Sequence, residues 1–336
     1  MDSLSQLALG AAVGVAVMGR RTAVWKAAAW GALCGTLPDL DAFIDHGDAV
    51  SNMTYHRAES HALFWLTLAA PLIAWVISRF QREHTLFIRW WLAVWLALVT
   101  HPLLDWTTIY GTQLALPFTD WPYGLGSMFI IDPLYTLPLL AGVVIALIRR
   151  HAGLRWNVAG LALSTAYLGW SFAAQLWVHA DVTTALRQQG LRAERVLVTP
   201  TPFNTVLWRI VVMDGDRYFE GFRSLLDHGD EIAFDAFESG AALRPALEGI
   251  PALQRIARFT HGFYKLSVTG DRFHITDLRM GQEPDYAFSF AIAQRDARGV
   301  ITPLLPVNEG GRTADLGGMM RWLVIRMGGD PIAPPR

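Results

Sequence analysis

Two carboxylates and two imidazoles sit close together in the first fifth of the chain, in Leu37-Pro38-Asp39-Leu40-Asp41 and His56-Arg57-Ala58-Glu59-Ser60-His61. A third group, His101 and Asp105, closes a later apolar run. Imidazole nitrogen and carboxylate oxygen together, without thiolate, are the donor set of Zn²⁺, Mn²⁺ or Fe²⁺. Asp39 and Asp41 are two apart after a proline that ends the preceding helix, so in extended backbone both face one side. His101 and Asp105 share a helix face at i, i+4, with Pro102 between them as a possible distortion. Each pair alone has a plainer reading as a helix end, a cap or a headgroup contact. Together, three segments would deliver six ligands, Asp39, Asp41, His56, His61, His101 and Asp105, enough for one ion or for two sharing a carboxylate. Such a centre would acidify a water and clamp an oxyanion or a phosphate. Arg57 would neutralise that phosphate, and Glu59 would shuttle protons. Asp132, before Pro133, is open between ligand, partner to a histidine and N-cap. Asp45, His46 and Asp48 read as loop polarity.

The elements that must hold these residues are apolar. Runs at about 4–19, 22–37, 61–79, 86–104, 129–148 and 156–178 predict a polytopic α-helical membrane protein with about six transmembrane helices, the first two short. Gly10, Gly14 and Gly19 facing Gly31 and Gly35 would let those two pack closely. Charge divides the chain: only 10 of the 28 Lys+Arg and 10 of the 29 Asp+Glu lie in residues 1–178. A membrane-embedded domain over 1–178 followed by an extracytoplasmic α+β domain over 179–336 is therefore expected. Within it, helices are expected at 180–190 and 242–259. Strands are expected at 195–199, 205–213, 218–225, 263–268, 273–278 and 286–294, with a loose tail from Gly328.

Nine of the ten basic residues in the first half fall between runs one and two, three and four, or five and six, while nine of the ten acids, all but Glu83, fall elsewhere. By the positive-inside rule those connections are cytoplasmic, which puts the N-terminus, the metal site and the C-terminal domain on the other side of the membrane. Trp106, Tyr110, Trp121 and Tyr123 suit an aromatic belt at that border. Asp2 ahead of the first run and Arg20-Arg21 after it are the reverse of a secretory signal peptide. A net charge of −1 gives no case for nucleic acid, and the single Cys34 excludes an intrachain disulfide or a thiolate cluster.

Met1-Asp2 leading into a Gly/Ala-rich helix, Leu37-Pro38-Asp39-Leu40-Asp41, His56-Arg57 with His61, and His101-Pro102-Leu103-Leu104-Asp105 followed by Gly111 together resemble the inner-membrane metal-dependent hydrolases, also described as LexA-binding, inner-membrane-associated hydrolases. The resemblance covers most of residues 1–140, with Asp132-Pro133 and Pro200–Arg209 adding to it. It implies a location in a bacterial inner membrane, the six ligands above and a hydrolase whose substrate is generally unassigned. One departure is Gln6, which stands where relatives carry a histidine. A membrane lipid or lipid-linked ester or phosphoester is the substrate class that a site at headgroup depth suggests. The rival readings are a non-catalytic scaffold, stapled by metal and recruiting a protein partner, and a transporter. Against the latter, the ionisable groups gather at one surface and not at the midplane.

Overall fold

A computed structural model describes residues 1–229, 231–311 and 315–336. The chain divides into two compact units. The first comprises Met1–Ile44, His56–Phe172 and Pro202–Asn204; the second comprises Asp45–Tyr55, Ala173–Thr201 and Thr205–Arg336.

The first unit is helical. Asp2 caps α1 (Ser3–Met18) by accepting from the backbone N–H groups of Leu4 and Ser5. α2 (Val24–Thr36) ends in a 3₁₀ turn, Pro38–Phe43, that opens on its proline. α3 (Ala49–Tyr55) sorts with the second unit. α4 (Leu63–Phe80) and α5 (Phe87–Trp106) form an antiparallel pair whose small residues Ala70, Ala74, Ala93 and Ala97 are buried. α6 (Pro133–Arg149) turns through Arg150–Gly153 into α7 (Leu154–Gln189).

Among the described residues three stretches, not six, are long and apolar enough to cross a membrane: Leu63–Phe80, His84–Trp106 and Pro133–Gln189. The correction follows from helix lengths. At 16 and 13 residues α1 and α2 reach only about 24 and 20 Å, against a hydrocarbon core of about 30 Å. The fifth and sixth runs merge into the 57-residue stretch, and the helix expected at 180–190 is the continuation of α7. That stretch turns back at Arg150–Gly153, with Gly142 against Asn157 and Gly160 against Pro138, so the basic turns at 20–26, 79–89 and 149–155 still meet at one end of the helices.

The expected glycine packing is present between α1 and α2. A Cβ on Gly10 would lie 2.3 Å from the Gly31 carbonyl oxygen, one on Gly14 2.3 Å from that of Ala27, and one on Gly35 2.8 Å from that of Gln6. Gly19 instead faces Leu154. Glu83, the acid out of pattern, is engaged: it accepts from Thr22 Oγ1 at 2.6 Å and Trp90 Nε1 at 2.9 Å, with Lys26 Nζ 3.8 Å away.

The second unit is α+β with antiparallel sheets. One sheet has the order β1 (Arg195–Pro200), β2 (Leu207–Asp214), β3 (Arg217–Ser224), β4 (Phe234–Glu238). After a short α8 (Arg244–Leu247) and α9 (Pro251–Phe259) come β5 (Tyr264–Thr269), β6 (Arg272–Asp277), a small hairpin of β7 (Gly281–Gln282) and β8 (Asp285–Tyr286), β9 (Ser289–Arg295) and β10 (Ile301–Asn308). The second sheet runs β10-β9-β6-β5. The single helix expected over 242–259 is broken because Pro251 disfavours helical backbone at Ile250, which is extended. β10 escapes a sequence reading because it carries Pro303 and Pro306, which an edge strand tolerates. After α10 (Leu316–Met327) the tail is fastened, not loose: Trp322 Nε1 donates to the Ile332 carbonyl, and Arg336 pairs with Glu220 and Asp235. Ala174, Val178, Val182 and Leu186 of α7 share a core with Val198, Trp208, Ile210 and Val212.

Close approach of α1 and α2 carries a stability prediction. Gly10→Val has no space to relax into backbone and is expected to destabilise by about 1–3 kcal/mol or prevent folding. Gly169→Ala, with nothing within 4 Å of the added carbon, is expected to leave stability unchanged. Thermal melting of the detergent-solubilised protein compares the two.

Candidate metal centre

Four side chains converge within the first unit: Asp39 from the turn after α2, His61 from the end of the 3₁₀ turn Glu59–His61, and His101 and Asp105 from the last turns of α5. Pro102 does not break α5, so the i, i+4 pair keeps its common face. His61, His101 and Asp105 are fully buried; the Asp39 side chain retains 20% exposure and marks the open side.

The donor atoms are spaced as ligands of one small cation. His61 Nε2 and His101 Nε2 are 3.1 Å apart. Asp105 Oδ2 lies 3.3 and 3.4 Å from them, and Asp39 Oδ1 lies 3.5 and 3.3 Å from them. Ligands about 2.0–2.1 Å from a tetrahedral Zn²⁺ are separated by roughly 3.3–3.4 Å. The observed spacings bracket that value.

The surrounding hydrogen bonds decide which ring nitrogens carry protons. His101 Nδ1 is 2.6 Å from the Gly35 carbonyl oxygen, which can only accept. Ser60 Oγ donates to Asp41 Oδ2 at 2.5 Å, leaving its lone pair to accept from His61 Nδ1 at 2.8 Å. In their neutral forms both rings would therefore hold their proton on Nδ1 and turn a bare Nε2 toward the other. Among the described residues Asp105 Oδ2 is buried there and accepts no hydrogen bond. Facing lone pairs and an unsatisfied carboxylate oxygen are costly unless a cation lies among them, so the residues fit a divalent metal ion.

Charge at the site bears the same mark. Burial would lower the pKa of His61, but the Asp105, Asp39 and Asp41 carboxylates outweigh it and raise it to about 9. Burial would raise Asp39, yet His101 and His61 hold its carboxyl well below the usual range. Asp41 is likewise held down, against burial, by His56, His61 and Ser60.

Asp41 and His56, expected as ligands, are bonded to each other outside this group of four. Asp41 Oδ1 is 2.9 Å from His56 Nδ1, while its Oδ2 accepts from the Arg57 N–H at 2.9 Å. Arg57 is buried in the left-handed region at φ 65°, a strained conformation for a residue with a side chain. Its N–H to Asp41 and its carbonyl, accepting from the Gln113 N–H at 2.9 Å, hold it there. Its Nε lies 3.4 Å from Asp105 Oδ2, and its guanidinium stacks 5.0 Å from the Tyr110 ring centroid. The Met1 amino group also pairs with Asp105. Gln6 donates through Nε2 to Asp105 Oδ1 at 3.0 Å and to the His101 carbonyl at 3.1 Å, while its Oε1 is buried without a partner. Glu59 is exposed and, among the described residues, its side chain has no bonded partner. Asp132 caps α6 and accepts from Tyr167 at 2.9 Å, away from the four. Asp45 and Asp48 make local loop and cap bonds. Sequence reasoning missed Ser60 and the Gly35 carbonyl, which set the two tautomers, and assigned Tyr110 only to the membrane border. Adjacency of Ser60 to His61 was the one available signal.

Comparison with known proteins adds a family. The model of the YdjM inner membrane protein family matches residues 1–178, which contain all four converging residues. The chain is also similar to the uncharacterized protein YfhP of Bacillus subtilis (strain 168), at 25% identity over 235 residues, 68% of this chain and 69% of that one. No solved structure matches.

A raised His61 pKa sets a direction for metal uptake. Below about pH 9 the metal-free site holds a proton that an ion must displace, so affinity is expected to rise with pH and to level off above about 9. In the metal-free protein that protonation stabilises the fold fully below the unfolded histidine value of about 6.5, and the contribution is lost as pH rises through about 9. Calorimetric metal titrations across this range, in buffers of different ionisation enthalpy, measure proton release directly.

Proposed function

Because the chain belongs to the YdjM inner membrane protein family, we propose that it is a membrane-bound metal-dependent hydrolase acting on an ester or phosphoester, with a lipid or lipid-linked substrate. The observation that carries this is the set of two imidazole nitrogens and two carboxylate oxygens within 4.8 Å of one another, at the end of a membrane-capable helix. Asp39, His61, His101 and Asp105 would hold the ion. Zn²⁺ suits that set best, with Mn²⁺ or Fe²⁺ as alternatives, and Asp41 with His56 offers donors for a second ion. When bound, such an ion supplies Lewis acidity and a water acidified to near neutrality.

The chain's own residues supply the rest. Arg57 places a fixed positive charge beside Asp105, where it would offset the charge of a bound phosphate. Glu59, exposed two residues from His61, would pass protons to solvent. An apolar groove of about 370 Å³ lined by Leu63, Leu103, Trp106, Leu116, Phe118 and Tyr123 supports an acyl substrate. Leu63 follows His61 by two residues and Trp106 follows Asp105, so the groove opens off the same chain segments as the ligands. The clustering of basic residues at 20–26, 79–89 and 149–155 supports placing the ligand end, both termini and residues 179–336 outside the cytoplasm.

A second reading has its own support. Four protein ligands close a tetrahedral shell, as in structural zinc sites, whereas catalytic sites keep one position for water. On that reading the ion staples α5 to the two turns, and the protein is a partner-binding scaffold.

Elemental analysis of the purified protein separates these readings. Wild type is expected to carry about one ion per chain, lost in His61→Ala and Asp105→Ala, and to hydrolyse both a phospholipid and a soluble phosphodiester. Phe118→Arg is expected to impair the phospholipid reaction alone. Metal without turnover would identify the scaffold, and a metal-free wild type would overturn the centre itself. A reporter fused after Arg336 and active only in the cytoplasm would reverse the proposed sidedness.

A further inference from the structure

The far end of α5 holds a second site of different chemistry. A cavity of about 330 Å³ is lined by Arg20 and Arg21 from the turn after α1, Arg89 from the first turn of α5, and Arg155 from the first turn of α7. Its remaining wall is apolar, built from Val15, Val17, Leu154 and Val158. Along α5, Arg89 is 12 residues from His101 and 16 from Asp105, about 18 and 24 Å at the helical rise, so this cavity lies well apart from the metal centre.

Four cations around one depression repel each other unless anions answer them. Among the described residues, none of the four guanidinium groups has a hydrogen-bond or ion-pair partner. Arg155 only stacks over its neighbour Trp156, 5.6 Å from the ring centroid. In residues 15–26, 79–89 and 149–158 the one acid is Glu83, already engaged by Thr22, Trp90 and Lys26. The charge is therefore uncompensated from within the unit. A guanidinium is planar and fits phosphate oxygens in pairs, which suits it to phosphate better than to a lone halide. Apolar walls continuing onto α7, and the exposed Trp156 next to Arg155, are features of a membrane border and not of a water-filled anion site.

We infer that this cavity binds the phosphodiester headgroup of an anionic phospholipid, with Arg20, Arg21, Arg89 and Arg155 on the phosphate and Val15, Val17, Leu154 and Val158 against the upper acyl chain. Four converging arginines exceed what one phosphate monoanion needs, so a lipid presenting two phosphates is the preferred occupant. The site is independent of hydrolysis at the metal centre.

Native mass spectrometry of the full-length protein, released from micelles doped equally with cardiolipin, phosphatidylglycerol and phosphatidylcholine, tests this. Wild type is expected to retain one anionic lipid, cardiolipin foremost, and no phosphatidylcholine. Loss of a charge-assisted hydrogen bond to a phosphate oxygen costs binding a factor of at least roughly five. Arg20→Gln with Arg21→Gln is thus expected to cut retention by about twenty-five-fold, and Arg89→Gln with Arg155→Gln by a similar factor. Arg149→Gln with Arg150→Gln, in the turn just before α7 but outside the cavity, is the control for diffuse charge and is expected to change nothing. Equal loss from the control pair, equal retention of phosphatidylcholine, or displacement of the lipid by millimolar inorganic phosphate would each overturn the proposal. Unaltered metal content and melting temperature in the glutamine variants would show that a loss of lipid is not a loss of fold.

Discussion

Two imidazole nitrogens cannot face each other at 3.1 Å beside two buried carboxylates unless positive charge, a proton on His61 or a metal ion in its place, lies between them. Much of the first unit can be understood as the means of enforcing that arrangement. The Gly35 carbonyl at the end of α2 fixes the proton on one ring, and the Asp41–Ser60 pair fixes it on the other. α5 contributes two of the four donors from one rigid face. The cation-seeking character is thus written into groups that are not themselves ligands.

Such precision depends on how closely the helices approach. Gly10, Gly14, Gly31 and Gly35 bring two backbones into direct contact, and that contact sets where the Gly35 carbonyl stands relative to His101. Arg57 adds a local strain that is tolerated because its backbone N–H and carbonyl are both bonded and its guanidinium lies between Tyr110 and Asp105. Strain held this way tends to occur where geometry serves a site. The second unit stands on different physics, with ion pairs such as Arg209–Glu220 at 2.7 Å buried in its sheets.

The sequence was informative where chemistry and periodicity are local. His61, His101, Asp39 and Asp105 stood out because ionisable groups beside apolar runs demand partners, and Gly10/Gly31 stood out as small residues in apolar helices. It was misleading where the outcome depends on length and on three-dimensional partners. Apolar runs of 16 residues look like spans until their helices are measured, and hydropathy does not register the continuity of α7 through residue 179. Asp41 and Asp39 are indistinguishable in type and spacing. Only the 3₁₀ turn at Pro38–Phe43 sends one to the four-donor group and the other to His56 and Ser60. β10 was hidden by its prolines, whose harmlessness requires knowing that the strand lies at an edge.

α5 carries donors at one end and a guanidinium of the arginine cavity at the other, on one unbroken rod from Phe87 to Trp106. A rod of this kind acts as a ruler. It sets the depth of the donor atoms below the far membrane border and also their rotational phase, since each residue adds 1.5 Å and turns the helix by about 100°. A side chain on its outer face can be exchanged without moving either end. A single residue inserted between Arg89 and His101 would rotate both ligands out of register with Asp39 and His61, so α5 is constrained in its length more tightly than in its composition.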